Sequence, residues 1–315
     1  MSVFNLGSIN VDNVYRVPHI PGAGETLAAS GFSRGLGGKG ANMSVAVARA
    51  AARAIHIGAV GGDGAWCVER LMEYGVDTRY IGKLSGAQTG HANIAVADDG
   101  ENQIVTFGGT NQQISDEMIC AALAEAGPGD TVLLQNETNG QVTAARMARN
   151  LGARVVYAAA PFEAKTVSDI AEYTDILVLN AVEAEQLRAA LGQELTALGI
   201  DHVVVTMGGE GSRWLDVTKG TEVHLPALPV TPVDTTGAGD TFTGYLVAGL
   251  DRGMPMEQAL RLATQAGAIM VTRLGTADVI PDLKDSEDAR LELPTHGAAA
   301  PHSSLTRASR PQASR

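Results

Sequence analysis

The sequence predicts an α/β fold: a three-layer, mostly parallel sheet with helices on both faces and a small, separate β-layer. Three observations carry this expectation. Short β-branched runs alternate with alanine-rich helical stretches along most of the chain. Two extended segments interrupt that alternation. The 315 residues are 45% hydrophobic, which is ample for a packed core and too apolar for wholesale disorder.

The elements follow in order. Residues 4–9 read as a strand, 38–52 as a helix with small apolar positions at Met43, Val45, Val47 and Ala48, and 55–60 as a second strand. Asp63 reads as the N-cap of a helix over 66–74 that Gly75 stops. Ser115 caps a helix running to Gly127-Pro128. Residues 131–135, 154–158, 175–179 and 202–206 read as strands with helices between them.

The interruptions are residues 12–36, with Pro18, Pro21, Gly22 and Gly24 before an extended stretch at 25–33, and residues 90–107. In the latter, Asp98-Asp99-Gly100 turns between two strand-like runs, 91–97 and 102–107. A lid over a site and an ordinary edge extension fit these segments equally. From Pro294 onward there is no acid, and the composition reads as a disordered tail.

Charge and cysteine content exclude several classes. The formal net charge of −12 argues against nonspecific binding to nucleic acid or anionic membrane. Cys67 and Cys120 form no disulfide framework and no metal-type spacing. The start of the chain carries no basic leader and meets an acid at Asp12, and no apolar run nears the ~18 residues of a membrane span. A reducing, cytoplasmic setting is the expectation. The seven histidines are scattered without ligand spacing.

Three glycine-rich stretches are candidates for phosphate or sugar chemistry. Gly35-Leu36-Gly37-Gly38-Lys39-Gly40-Ala41-Asn42 formally matches G-x-G-x-x-G, but no buried strand precedes it, and Gly40 after Lys39 breaks the P-loop pattern. It reads either as a polar-ligand cradle at a helix start or as a tight loop with a solvated lysine. Thr206-Met207-Gly208-Gly209-Glu210-Gly211 follows a strand and reads either as a nucleotide loop or as a plain turn. Asp234-Thr235-Thr236-Gly237-Ala238-Gly239-Asp240-Thr241-Phe242 is more specific. Gly237, Ala238 and Gly239 would offer backbone N–H groups at a helix start, an anion-holding concavity. Asp240 inside it makes sense as a base that takes a proton beside accumulating negative charge.

The last stretch resembles the C-terminal signature of the ribokinase-like (PfkB) carbohydrate kinases, and residues 37–42 resemble their N-terminal signature. Gly7-Ser8-Ile9-Asn10-Val11-Asp12, Leu134-Gln135-Asn136-Glu137, Asn180-Ala181-Val182-Glu183, residues 206–211 and Val271-Thr272-Arg273-Leu274-Gly275 resemble further family elements in the family's order. The resemblance spans about residues 3–281, and the ribokinase branch matches best.

That resemblance implies transfer of the ATP γ-phosphate to O5 of D-ribose, with Asp240 as general base and Gly237, Ala238 and Gly239 as the anion hole. It implies a sugar site made by Asn10, Asp12, Gly38, Lys39, Gly40, Ala41, Asn42, Glu137 and Asp240. ATP would meet Asn180, Glu183, Thr206, Met207, Gly208, Gly209, Glu210, Gly211 and Gly239. Magnesium would be held through water by Asn180 and Glu183, and potassium by Asp234, Thr236, Arg273 and Gly275. A kinase domain over 1–292 would carry a lid from about 12–36 and 88–110, with a tail at 293–315. Lid pairing would make a homodimer. Three positions depart from the family pattern: Ala159 where asparagine is common, Val279 where a serine often completes the potassium site, and Thr264 where a histidine often lines the adenine pocket. The alternatives are a kinase of the same family acting on deoxyribose, a ketohexose or a nucleoside, and a noncatalytic sugar- or nucleotide-binding protein. The presence of Asp240 with both phosphate elements disfavours the latter.

Overall fold

The computed structural model describes residues 1–288. Its strands are β1 (Ser2–Leu6), β2 (Asn10–Val17), β3 (Gly31–Gly37), β4 (Arg53–Val60), β5 (Asp77–Lys83), β6 (Gly90–Ala97) and β7 (Asn102–Phe107). β8 (Thr131–Leu134), β9 (Arg154–Ala158), β10 (Ile176–Asn180), β11 (His202–Thr206), β12 (Ser212–Asp216) and β13 (Thr221–Leu225) follow. The helices are α1 (Lys39–Arg49), α2 (Ala65–Glu73), α3 (Asp116–Leu123), α4 (Gln141–Asn150), α5 (Ala164–Ile170), α6 (Ala181–Leu191), α7 (Ala238–Asp251), α8 (Met256–Met270) and α9 (Leu283–Asp288).

A nine-stranded sheet runs in the order β13-β12-β11-β10-β9-β8-β1-β4-β5. Its pairings are parallel from β11 to β5, and the β12–β13 hairpin adds an antiparallel edge. Period-2 alternation sends successive strand residues to opposite faces. Val3, Leu133, Val156, Val178 and Val204 join one apolar layer with α1, α7 and α8. Phe4, Leu134, Tyr157, Leu177 and Val205 join the other, against α3, α4, α5 and α6. Burial on both faces is why these strands read as near-continuous apolar runs.

The second sheet has four strands in the order β3-β2-β6-β7. It is the predicted lid: β2 runs antiparallel to β3 and parallel to β6, and β6 turns antiparallel into β7.

Several local readings are corrected. The 4–9 strand ends at Leu6, and Gly7 to Ile9 form the crossing into β2, because Gly7 and Gly40 meet backbone to backbone there. Asp63 does not cap α2. It sits in a short 3₁₀ turn and accepts from the backbone and hydroxyl of Thr89 instead, at 3.0 and 2.7 Å. Ser115 does cap α3, accepting from Met118 N–H, but that helix stops at Leu123, before Gly127-Pro128. The extended stretch at 25–33 becomes strand only from Gly31. β5 and the β12–β13 hairpin were not anticipated. The 293–315 tail lies outside the described residues. Among those residues, no helix is long and apolar enough to cross a membrane.

Candidate active site

The strand order reverses beside β1: the chain passes from β1 outward to β4 and β5, then returns to β8 on the other side. Open parallel sheets bind ligands in the crevice at such a point, outside the strand C-termini. Here the loop after β1 meets the loop after β8. Ser8 Oγ donates to Glu137 Oε2 at 2.5 Å. The same oxygen accepts the Lys39 N–H at 2.9 Å. Gly38 starts α1 without a side-chain cap of its own, so Glu137 supplies the carboxylate that this helix terminus favours.

Glycine is required at this crossing. A Cβ at Gly40 would lie 2.3–2.4 Å from Ser8 N and from Gly7 C and Cα, all backbone atoms. Gly38 has φ +93°, with Ser8 and Asn10 backbone atoms 3.0 Å from where a Cβ would sit. A buried polar layer fixes the floor below. Asn5 Nδ2 donates to Gly40 O and Ser44 Oγ, both at 2.8 Å, while His56 bridges Ser44 Oγ and Gly7 O. Complete burial pushes His56 down to about 4, so it is neutral near pH 7.

Above this floor lie Asn10 and Asp12 on β2 and Lys39 and Asn42 on α1. Burial, with a contribution from Glu137, pushes the Asp12 carboxyl up to about 7. Gly37 accommodates that carboxyl, since a Cβ there would fall 1.9 Å from Asp12 Oδ2.

Facing them is the first turn of α7. Gly237 is left-handed at φ +74° and starts the helix. The Ala238 N–H is turned back to Thr235 O, while Thr241 N–H begins the helical ladder at Gly237 O. The intervening Gly239 and Asp240 N–H groups belong to the unpaired first turn. Asp240 is 6% exposed, and its Oδ2 accepts from Asn42 Nδ2 at 2.9 Å. Burial raises the Asp240 pKa, against the opposing pull of Lys39 and the Asn42 bond. Attraction to Asp240, then to Glu137 and Glu183, holds Lys39 protonated despite burial. Asn42 Oδ1 is buried with no hydrogen-bond partner among the described residues.

The remaining expected residues line the same edge of the sheet. Asn180 ends β10 and forms a capping box with Glu183, each accepting the other's N–H at 2.8 Å. Thr206 ends β11, opposite Asn180 in register, and Met207 to Gly211 fold back through Met207 N–H to Gly211 O. Asp234 accepts from Thr236 N–H at 2.9 Å and Gly275 N–H at 3.3 Å, joining the two halves of the expected cation loop. The Arg273 side chain turns away to Val279 O and Asp285. Thr276 Oγ1 donates to Leu36 O, tying that loop to the root of the lid. Val279 packs on Gly275, Ala159 is buried in the apolar core, and Thr264 gives its hydroxyl to Leu260 O.

Sequence reading missed Asn111. It follows β7, is 1% exposed, and donates to Asn10 Oδ1 at 2.8 Å. No local pattern marks it, because only the pairing of β2 with β6 brings it to Asn10.

A buried carboxylate sits at a helix N-terminus, over the switch point of a parallel sheet and under a β-lid. The chain belongs to the pfkB family of carbohydrate kinases, whose family model matches residues 2–283. It is 35% identical over 299 residues to the ribokinase of Haemophilus influenzae, covering 89% of this chain and 95% of that one. It is 30% identical over 298 residues to the deoxyribokinase of Salmonella typhi, covering 90% and 97%. The solved structure of Arabidopsis thaliana ribokinase complexed with ribose and ATP superposes with a TM-score of 0.80 at 27% identity, covering 91% of this chain and 97% of that one. The chain is thus an ATP-dependent kinase of ribokinase type.

Proposed function

We propose that the chain transfers the γ-phosphoryl group of ATP to O5 of D-ribose, giving ribose 5-phosphate and ADP, with Asp240 as general base. The observation that carries this reading is the Asn42–Asp240 hydrogen bond, which joins the sugar-facing helix α1 to the anion-facing terminus of α7. Asn10, Asp12, Lys39, Asn42 and Glu137 offer the mix of donors and acceptors that a polyol needs. Asp240 takes the proton from the attacking hydroxyl. The Gly239 and Asp240 N–H groups, with Gly237 and Ala238 shaping the turn, receive the charge on the transferring group. The raised Asp240 pKa suits that exchange, since a very acidic carboxylate is a poor base.

ATP lies along the strand ends from Gly239 past Asn180 and Glu183 to the 206–211 loop. Among the described residues, no group of three or more His, Cys, Asp or Glu side chains forms a metal cage. Magnesium would be carried on the nucleotide phosphates, with Asn180 and Glu183 reaching it through water. Glu183 uses Oε2 in its capping box, which leaves Oε1 for a water of the ion's shell. Magnesium supplies neutralisation of the phosphate charge when bound. Asp234 and the carbonyls of Thr236, Arg273 and Gly275 are hard oxygen donors that fit potassium, whereas Val279 adds none.

The identity to a deoxyribokinase favours 2-deoxyribose as the second reading. Coupled ADP release with ribose, 2-deoxyribose, fructose and adenosine decides. Ribose is expected to give the highest kcat/KM, and a lower value than any of the others rejects the first reading. We also infer a homodimer formed by two lids, supported by the exposed Phe32, Val105 and Phe107. Light scattering that returns the mass of a single chain rejects it.

A further inference from the structure

We infer that Asn111 is a positioning residue that sets which end of the Asn10 amide faces the sugar. This rests on the proposed role of Asn10 at the acceptor site. An amide has one acceptor end and one donor end, and the two are nearly isosteric. A backbone N–H can only donate, so it fixes the orientation of any amide that it meets. Ile9 N–H meets Asn111 at 2.9 Å, so the Asn111 atom there is Oδ1. The other end, Nδ2, then faces Ile9 O at 3.3 Å and Asn10 at 2.8 Å. The Asn10 atom opposite a donor is its acceptor, Oδ1. Asn10 Nδ2 is left as the end directed away from Asn111. Polarity set at one backbone N–H therefore passes through two side chains and presents a donor to the ligand.

The surroundings keep this relay in place. Asn111 and Asn10 are both buried, and the Asn111 N–H and C=O are bound to Gly108 O and Asn139 N–H. Gly90, opposite Asn10 in β6, leaves the necessary space: a Cβ there would come within 2.1 Å of Asn111 Nδ2 and 2.5 Å of Asn10 Oδ1. Asp12, two residues along the same face of β2, presents acceptors only when ionised. A fixed donor at Asn10 beside the acceptor oxygens of Asp12 lets this face donate to one sugar hydroxyl and accept from its neighbour.

The test is Asn111→Asp in the full chain. The substitution is nearly isosteric and keeps the acceptor for Ile9 N–H. It removes the donor to Asn10, which then turns its own Nδ2 inward and shows an acceptor to the sugar. The sugar KM is expected to rise about 10- to 100-fold, the range for leaving a buried polar group mispaired, with KM for ATP unchanged and kcat reduced far less. In an Asn10→Ala background the same substitution is expected to add no further rise, because its effect passes through Asn10. Gly90→Ala attacks the same contact with Asn111 intact and serves if the aspartate variant does not fold. An unchanged sugar KM in a folded variant overturns the inference. So does an equal rise in the Asn10→Ala background, or a parallel loss in both substrates that tracks the unfolding temperature. Wild-type turnover of ribose or 2-deoxyribose, measured first, separates the two claims. Wild-type failure with every acceptor refutes the acceptor reading and this inference with it, while wild-type success with any of these results refutes the inference alone.

Discussion

Asp240→Asn should cost catalysis and at the same time stabilise the fold. The amide is isosteric, and its oxygen still accepts from Asn42 Nδ2, so the α1–α7 contact survives. Lys39, the Glu137 bridge and the first-turn N–H groups of α7 also remain. What disappears is the acceptor for the hydroxyl proton. A positioned general base contributes about 10²- to 10⁴-fold, so kcat should fall by that factor, equivalent to about 3–5 kcal/mol of barrier. A larger loss would mean that the phosphate elements had moved as well. Stability carries the opposite sign. The folded pKa of Asp240 is raised, with burial as the first cause and the pull of Lys39 insufficient to reverse it. The native state therefore binds this proton more tightly than the unfolded chain, and stability is lost as pH climbs from the ordinary carboxylate range through the raised value. Near neutral pH the carboxylate is a net burden that the amide removes. Steady-state kinetics paired with thermal unfolding at neutral and mildly acidic pH reads both quantities. The variant's advantage in unfolding temperature should shrink as the pH falls. A kcat within about tenfold of wild type refutes Asp240 as the base, and an unfolding temperature below wild type at neutral pH refutes the account of its burial.

Three further outcomes follow from the same geometry. Asp12, pushed up to about 7, should give sugar kcat/KM an acid limb near that value, lower below it, because the ionised carboxylate accepts from hydroxyls on both oxygens and more strongly than the protonated acid; a pH profile that stays flat down to the usual carboxylate range contradicts this. Gly40→Ala should destabilise by about 2 kcal/mol or more, since its Cβ meets only backbone of Gly7 and Ser8, and urea denaturation with an unchanged midpoint would show that α1 can shift freely. Replacing potassium with sodium should change the rate little in the natural chain, and Val279→Ser should increase the dependence, as read by initial rates at constant ionic strength.

The body of the fold was legible because its information is local. Apolar runs such as Val203-Val204-Val205 report burial on both faces, and the turn before Asp240 needs a left-handed residue that Gly237 supplies. Lys39, Asn42 and Asp240 stood out because glycines surround them. What failed was non-local. Asp63 has the composition of an N-cap, yet Thr89, just before β6, competes for its carboxylate and wins. The first strand ends three residues early because the Gly7–Gly40 approach bends the backbone, and a single strand's pattern carries no record of its neighbour's close contact. Glu137 was readable only as a sugar ligand, whereas its bonds to Ser8 and Lys39 make it a brace of the crossing as well. Asn111 left no trace, since its partner at Asn10 is 101 positions away.

On the proposed reading, the Glu137 brace and the Asp240 base are coupled through Lys39. Its main chain is fixed by Glu137, and its ammonium feels Asp240 first, then Glu137 and Glu183, without a carboxylate within ion-pair distance among the described residues. A cation held among three carboxylates but bonded to none is free to respond to a new anion. On the proposed reading, Asp240 becomes neutral as it takes the hydroxyl proton, so the strongest of those attractions vanishes when charge gathers on the transferring phosphoryl group. Lys39 then has more of its field to give to that group, and the acidic chain, with its net charge of −12, needs no basic surface to hold ATP. Lys39→Met should therefore raise the Asp240 pKa further and lower kcat more than it weakens sugar binding. If the sugar KM rises while kcat holds, the lysine is a sugar ligand only, and the base and the phosphate site work independently of it.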